Sequence, residues 1–492
     1  MPLSVTNSLT GEREAFEPTG DEVLLYVCGL TVSDDAHLGH ARVWTHADVI
    51  HRWLEHQGYD VRHVENFTDV NEKIAARVGE REGWESEADV ARHFTRQTIA
   101  DMRALNLERA AVYPRVSEHV PEIIDLVETL VEAGHAYESG GSVYFDVTTF
   151  EGYGKLSNQD LDELEAQGGP EERGEKRNPA DFALWKAGGV SADAVAEHAK
   201  HDHDGDHPTG QTWDSPWGEG RPGWHVECSA MSTTHLGDTV DIHMGGHDLV
   251  FPHHENEIAQ SEAATGQRFA NYWLHTGLLS TAGEKMSSSL GNFFTVADAV
   301  EEFGANVVRS FYLGTEYDSE QTFSEAAIEE AQARWDRLSR AYETAVDACD
   351  SVDARTKVAD EQLRETVTDA RAAATEAMND DFNVREALSE LLGVATAVNR
   401  HVDGADRYDY RGLRRAVGFF EEFGEGVFGF EFGSATGGDV ELVDDLVGLV
   451  LAVREEERQA GNYERADALR DELQSLGVAV EDDGEETTYR LE

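Results

Sequence analysis

Two histidines flank a glycine in His37-Leu38-Gly39-His40. At the start of a helical pattern, their ring N–H groups can donate hydrogen bonds to an anion held at the helix N-terminus. A second anion-binding candidate lies far downstream, in the polar stretch Gly283-Glu284-Lys285-Met286-Ser287-Ser288-Ser289-Leu290-Gly291-Asn292. There Lys285 supplies a positive charge and the serines supply hydroxyl donors on what reads as a flexible loop. Simple solvation is the plainer explanation of Lys285. A third set has ligand chemistry. Cys28 and Cys228 are far apart, while His253 and Glu257 stand four residues apart on a helical pattern and face the same way. Two thiolates, one imidazole and one carboxylate suit tetrahedral zinc. They suit equally two buried cysteines and an exposed helical His/Glu pair, and spacing leaves both open. His198, His201, His203 and His207, interleaved with Asp202, Asp204 and Asp206, can also bind metal. No apolar neighbour would hold them in one geometry, so 187–210 is expected to be an exposed acidic loop.

These groups need elements to position them. Val23 to Val27 is an apolar, β-rich run that suits a buried parallel strand, ended by Cys28 and Gly29. From His40 to Gly58, Val43, Ala47, Ile50 and Leu54 keep helical spacing. Tyr59 to Asn66 reads as a second strand and Thr68 to Lys73 as a loop into another helix, so an α/β sheet begins here. Ala88 to Leu105 is a long amphipathic helix. Ser117 is expected to cap a helix from Pro121 to Ala133, and Gly140-Gly141 to turn a hairpin from Ala136 to Thr148. Val240 to Met244 is a strand ending in Gly245-Gly246-His247-Asp248, Pro252 opens a helix, and Tyr272 to Gly277 is the last strand expected. Beyond Val296 the pattern is nearly all helical, with amphipathic helices at Ser324–Asp347, Ala359–Met378 and Val384–Val402. Glu425 to Asp439 reads as a Gly-rich linker. The expected architecture is a Rossmann-like parallel sheet in two halves, 1–114 and 221–295, split by an insertion at 115–220. A linker region (296–330), an α-helical bundle (331–430) and a small α+β unit (440–492) follow.

Composition narrows the class. The chain has 492 residues, 40% of them apolar, with no apolar run that could span a membrane. The polar segment Met1 to Thr19 is no signal peptide, so a cytoplasmic protein is expected. Three cysteines make no disulfide framework. Acidic residues number 98 against 40 basic ones, a net charge of −58. They are spread along the chain rather than gathered in a tail. Nine Trp and twenty Phe speak against a disordered acidic chain. The charge reads instead as adaptation to a salt-rich cytoplasm, where concentrated ions screen self-repulsion.

The His37–His40 stretch resembles the HIGH signature of class I aminoacyl-tRNA synthetases, and Lys285-Met286-Ser287-Ser288-Ser289 resembles their KMSKS loop. Within that class the chain is similar to cysteinyl-tRNA synthetases. Cys28, Gly29 and Thr31 ahead of the signature, Gly-Trp-His-Val-Glu-Cys-Ser-Ala-Met around Trp224 to Met231, and Phe251 to Gln260 carry the likeness. So does Asp380-Asp381-Phe382-Asn383, and the likeness runs over nearly the whole chain. A halophilic archaeal source follows from it together with the charge.

The resemblance implies activation of L-cysteine by ATP, with Mg2+, and transfer of the cysteinyl group to tRNA(Cys). It implies one Zn2+ per chain on Cys28, Cys228, His253 and Glu257, binding the substrate thiolate. His37, His40 and Lys285 would be catalytic, with Gly39, Asp248 and Ser288 also on ATP. Gly29, Thr31, Thr68 and Trp224 would line the cysteine pocket. Arg458, Tyr463, Asp467 and Asp482 would lie near the anticodon, reading it by stacking and base-edge hydrogen bonds. A monomer without membrane contact is expected.

Two departures stand out: Ser288 replaces the family's usual second lysine, and 187–210 is longer than the family pattern needs. Two alternatives share the motifs. One is a cysteine:amino-sugar ligase of the mycothiol type, against which residues 440–492 argue. The other is a non-catalytic zinc- and tRNA-binding paralogue.

Overall fold

The computed structural model describes residues 2–161, 166–169, 172–200, 210–281, 284–285 and 294–433. Of the C-terminal stretch it describes 447, 449–451, 453–454, 458, 462–463, 465–466, 469–470, 473, 478–483 and 486–491. Ser288, Asp467, His201, His203 and His207 lie outside the described residues.

Four strands form the sheet that carries the site: β1 (Glu22–Val27), β2 (Asp60–Glu65), β3 (Val240–Gly246) and β4 (Ala270–Thr276). Their order is β4-β3-β1-β2 and every pair is parallel. β1 is apolar almost throughout, with Val23, Leu25, Tyr26 and Val27 fully buried, because the sheet is covered on both faces. Helix α1 (Leu38–His56) connects β1 to β2, whereas β3 pairs on the other side of β1. The chain therefore reverses direction between β1 and β3, and a crevice opens beyond the carboxyl ends of these two strands. Two further helices border it, α2 (Trp224–Leu236) and α3 (Glu255–Thr265).

The stretch between the sheet halves builds its own antiparallel sheet from Ala136–Ser139, Ser142–Phe145, Phe182–Ala187 and Gly220–Pro222. The hairpin turns at Gly140 and Gly141, with φ of 63° and 91° that favour glycine. Ser117 is not the cap of the helix before it. That helix spans Val120–Ala133, and its N-cap is His119. The Asp69 carboxylate takes both the Ser117 N–H (2.9 Å) and its hydroxyl (2.5 Å), so the serine holds the inserted segment to the loop after β2 instead. Part of the His/Asp-rich stretch is also packed. Ser191 caps a helix at Ala192–His198, and its Val195 is buried with Ala75, Ala76 and Val190.

From Val296 to Phe432 the described α-helices are Val296–Phe303, Ala305–Tyr312, Glu325–Asp350, Glu361–Asn379, Val384–Gly404 and Tyr410–Phe419, the last continuing into a wider helical segment at Phe420–Val427. Three short strands break the expectation that β4 is the last: β5 (Leu279–Thr281), β6 (Glu284–Lys285) and β7 (Gln321–Phe323). β5 pairs antiparallel with β6 and parallel with β7. The expected linker does not begin at Glu425. Phe428, Phe430 and Phe432 are buried, and against Trp335 Phe430 packs tilted at 5.3 Å and Phe432 stacks at 5.4 Å. Aromatics at every second position turn a glycine-rich stretch into core.

Residues 1–432 form one compact unit and 433–492 a second. In the second, Val478–Asp483 pairs antiparallel with Glu486–Leu491, and Val447, Leu473 and Val478 cluster. Among the described residues no helix is long and apolar enough to cross a membrane.

Candidate active site and metal centre

Cys28 extends the β1–β3 pairing by one residue, its N–H donating to Met244 O at 2.8 Å, so its thiol stands at the strand tip. Cys228 sits one turn into α2. His253 and Glu257 straddle the start of α3, where Val250–His254 forms a wider turn that swings His253 inward. All four are buried, so the exposed His/Glu alternative fails. The Sγ atoms are 3.6 Å apart, Cys28 Sγ is 3.4 Å from His253 Nε2, and His253 Nε2 is 3.1 Å from Glu257 Oε1. One donor atom from each lies within 4.8 Å of every other. Tetrahedral zinc with Zn–S of about 2.3 Å and Zn–N of about 2.0 Å needs edges of about 3.3–3.8 Å. Glu257 Oε1 is buried and accepts no hydrogen bond. A buried carboxylate oxygen with imidazole rings as its ion-pair neighbours, beside two thiols, fits a cation.

The electrostatics agree. The hydrogen bond from Cys28 holds the Cys228 thiol down at about 6, and the same bond pushes Cys28 up. Burial alone would depress His253, but Cys228 and Glu257 beside it hold it at about 10. Burial would raise Glu257, yet His243 and His253 hold it at about 2. The pocket thus concentrates anionic donors that a bare protein satisfies only by protonating the imidazole.

A ring of partners orients these donors. His243 Nε2 lies 2.9 Å from Glu257 Oε2, and His225 Nδ1 lies 2.8 Å from His253 Nδ1. The inserted segment clamps α3 between the two ligands. Glu255 accepts from the N–H groups of Gly154 (2.9 Å), Leu156 (3.0 Å) and Ser157 (2.8 Å). Asn256, Gln167 and Tyr153 close a triangle of hydrogen bonds of 2.5–2.8 Å. Sequence spacing does not reveal these residues, although His253 to Glu257 form five consecutive polar side chains, all buried. Replacing His243 with alanine is expected to weaken metal binding by about 10–100-fold, the usual cost of losing an outer partner. Metal retained against a competing chelator measures it; unchanged retention would mean that His243 does not hold Glu257.

Asn66, also unforeseen, ties the metal cluster to the adjoining pocket. Its Oδ1 accepts from Tyr26 OH (3.0 Å), Gly29 N–H (2.9 Å) and the Cys228 thiol (3.8 Å). A Cβ on Gly29 would collide with the Asn66 carbonyl, so only glycine lets the two strand ends pack. Thr31 bridges to Thr68, with Thr68 N–H on Leu30 O at 3.1 Å. The half-exposed Trp224 ring lies 4.6 Å from the His253 ring. Gly29 and Thr68 thus reach the cluster through Asn66, Trp224 through His253, and Thr31 is joined to Thr68.

The nucleotide candidates occupy the first turn of α1. His37 is its N-cap, and its Nδ1 accepts the Gly39 N–H at 3.0 Å. His40 Nδ1 accepts the His37 N–H at 3.3 Å. The rings stack at 3.8 Å. With each Nδ1 an acceptor, the proton of each neutral ring sits on Nε2, leaving each ring one N–H donor. Gly39 is required because a Cβ there would lie 2.8 Å from the His37 ring. Burial, then His37 and Lys73, depress His40 well below the usual imidazole range, so it stays neutral. The amides of this turn are already used: Leu38 N–H donates to Phe294 O, and His40 and Ala41 N–H to His37 O. An anion here would meet imidazoles rather than free backbone N–H groups.

Asp248 lies in the exposed turn His247–Leu249 that follows β3, across the crevice. The backbone of Lys285 belongs to β6, opposite Ser280. In the second unit Arg458 and Tyr463 are helical, with Tyr463 65% exposed, and Asp482 lies on the hairpin opposite Thr487.

Comparisons with known proteins agree with this layout. A family model described as the tRNA synthetases class I (C) catalytic domain matches residues 15–333. A DALR domain matches 373–433, and a cysteinyl-tRNA ligase anticodon binding domain matches 447–490. The cysteine–tRNA ligase of Haloarcula marismortui is 67% identical, covering 100% of both chains. That of Halobacterium salinarum is 63% identical with the same coverage, and that of Thermococcus onnurineus is 44% identical over 100% of this chain and 99% of its own. Among solved structures, Mycobacterium tuberculosis methionyl-tRNA synthetase in complex with methionyl-adenylate aligns with a TM-score of 0.57. It covers 81% of this chain and 88% of its own at 16% identity, a likeness of fold alone. From catalytic sheet to C-terminal unit, the chain belongs to the cysteine–tRNA ligase family of class I aminoacyl-tRNA synthetases.

Proposed function

We propose that the chain charges tRNA(Cys) with L-cysteine in two steps, using ATP with Mg2+. The observation that carries this reading is one strand end. Cys28, at the tip of β1, belongs to a buried S2NO donor set, and nine residues later His37 opens the stacked histidine pair. Side-chain recognition and phosphate chemistry therefore share one rigid connection.

In the first step the cysteine carboxylate attacks the α-phosphorus of ATP and pyrophosphate leaves. Neutral His37 and His40 donate from Nε2 to phosphate oxygens, and Lys285 adds the cation of the second signature. Such chemistry is mostly positioning and charge stabilisation. Asp248 contacts the nucleotide or the substrate amine in this reading, and Gly29, Thr31, Thr68 and Trp224 shape the cysteine pocket. In the second step the terminal ribose of tRNA attacks the adenylate carbonyl. Cys28, Cys228, His253 and Glu257 would hold one zinc per chain, which when bound would supply a soft acid that prefers a thiolate to a serine hydroxyl. An ordinary pocket gains only about 1–3 kcal/mol from so small a difference.

The domain limits that go with this reading are a catalytic domain at 1–114 and 221–295, the connective insertion at 115–220, a stem-contact region at 296–330, a bundle at 331–430 and an anticodon-binding unit at 440–492. Arg458, Tyr463, Asp467 and Asp482 serve the anticodon. At multimolar salt counterion release contributes little, so an acidic protein can bind tRNA by shape, stacking and local arginines. The working form is a cytoplasmic monomer.

Transfer of cysteine to an amino-sugar is disfavoured by the C-terminal anticodon-domain match at 447–490. Charging of tRNA(Cys) with labelled cysteine in multimolar KCl is the expected result. Cysteine-dependent pyrophosphate exchange without tRNA charging would overturn the reading.

A further inference from the structure

The first turn of α1 holds both flanks of the segment that carries Lys285. On the downstream flank, Leu38 N–H donates to Phe294 O at 3.3 Å, Val296 N–H donates to Ala36 O at 2.9 Å, and His37 bridges Thr295. On the upstream flank the Arg42 side chain makes the hydrogen bonds. The Arg42 guanidinium is fully buried and, among the described residues, donates to main-chain carbonyls alone. Nη1 reaches Gly277 O (2.9 Å) and Leu278 O (3.0 Å); Nη2 reaches Glu316 O (3.1 Å) and Ser319 O (2.5 Å).

Those carbonyls belong to two neighbouring segments, 277–278 and 316–319, which lie side by side and continue into the paired strands β5 and β7. Gly277 and Leu278 run from β4 directly into β5, which pairs with the Glu284–Lys285 strand. Residues 316–319 lead into β7, the other neighbour of β5. The two segments touch so closely that a Cβ on Gly277 would strike the Ser319 carbonyl, and Gly277 N–H donates to Tyr317 O at 2.8 Å. Arg42 therefore grips the root of the hairpin from the helix turn that bears His37 and His40. Burying a cation on carbonyls alone is costly compared with an apolar side chain of the same size. Packing does not account for that cost; a fixed geometry does.

We propose that Arg42 is a positioning residue for adenylate formation, setting the root of the β5–β6 hairpin relative to His37 and His40 and so where Lys285 meets the phosphates. The inference rests on the reading that Lys285 acts on ATP. Misplacement by about 1 Å can cost about 100-fold in rate. A lysine at 42 keeps the charge but cannot span four carbonyls.

The test is a double-mutant cycle in the full-length, metal-loaded enzyme, read by cysteine-dependent ATP–pyrophosphate exchange. Arg42→Lys is expected to lower kcat by about 10–100-fold, with bound metal and the KM for cysteine unchanged. In a Lys285→Ala background the same change is expected to cost no more than about 3-fold, because the group it positions is gone. Equal losses in both backgrounds, or loss of metal and a raised cysteine KM, would overturn the proposal and leave Arg42 a structural residue. Wild-type rates in Lys285→Ala alone would remove the reading beneath it, and the proposal with it. If Arg42→Lys does not fold, Arg42→Gln, which retains two donors, enters the same cycle.

Discussion

Cys228→Ser is expected to abolish metal binding and cysteine activation together. Serine is nearly isosteric and α2 continues on both sides of the position, so the fold should survive. What is lost is a soft donor. Cys228 lies 3.6 Å from Cys28 Sγ, and the neighbouring thiol already holds it at about 6, close to the anionic form a cation needs. A serine hydroxyl does not ionise at neutral pH and is a poor partner for a site built from thiolate and imidazole. Loss of an outer partner costs about 10–100-fold in metal affinity, so loss of a direct ligand should exceed about 100-fold. Bound zinc and pyrophosphate exchange should fall in step, and added zinc should not restore cysteine selectivity. Full exchange activity in a metal-free Cys228→Ser protein would mean that the cluster is structural.

The second large effect concerns the histidine pair. His40→Ala removes an Nε2 donor, the Nδ1 that accepts the His37 N–H, and the ring on which His37 stacks. Removing one preorganised donor to a charged transition state costs about 100–1,000-fold in kcat, and the KM for cysteine should change little. The pH profile carries a separate signature. Burial first, then His37 and Lys73, lower His40 well below its usual value. A lowered pKa means the ring is neutral at and above ordinary imidazole pH and gains its proton only in stronger acid. Adenylation should therefore show no acid limb near 6.5 belonging to His40. An acid limb there that disappears in His40→Ala would contradict the neutral-donor role.

Much of this site is visible in the sequence because its parts obey local rules. Val23 to Val27 reads as a two-faced strand, α1 keeps its period, and the signature residues sit at the ends of those elements. The metal set is different. Cys28 and Cys228 are separated by 200 residues, and only the parallel β1–β3 pairing and the packing of α2 and α3 bring them together. The supporting residues left no periodic signal. Asn66, His243, Asn256 and Arg42 are polar side chains that tertiary structure buries, and a hydrophobic pattern cannot announce a buried polar group. Ser117 misleads for a related reason: Asp69, distant in sequence, outcompetes the helix for its hydrogen bonds. At Phe428, Phe430 and Phe432 the intervening Gly429 and Glu431 mask alternating aromatics that fill the core.

The account stands most directly on one measurement: charging of tRNA(Cys) with labelled cysteine and with labelled serine in multimolar KCl, before and after the metal is stripped. Cysteine should be charged by the zinc-loaded enzyme, serine should be rejected, and cysteine charging should vanish on stripping and return with zinc. Undiminished, cysteine-selective charging by the stripped protein would contradict the claim that the buried cluster at the end of β1 reads the amino acid.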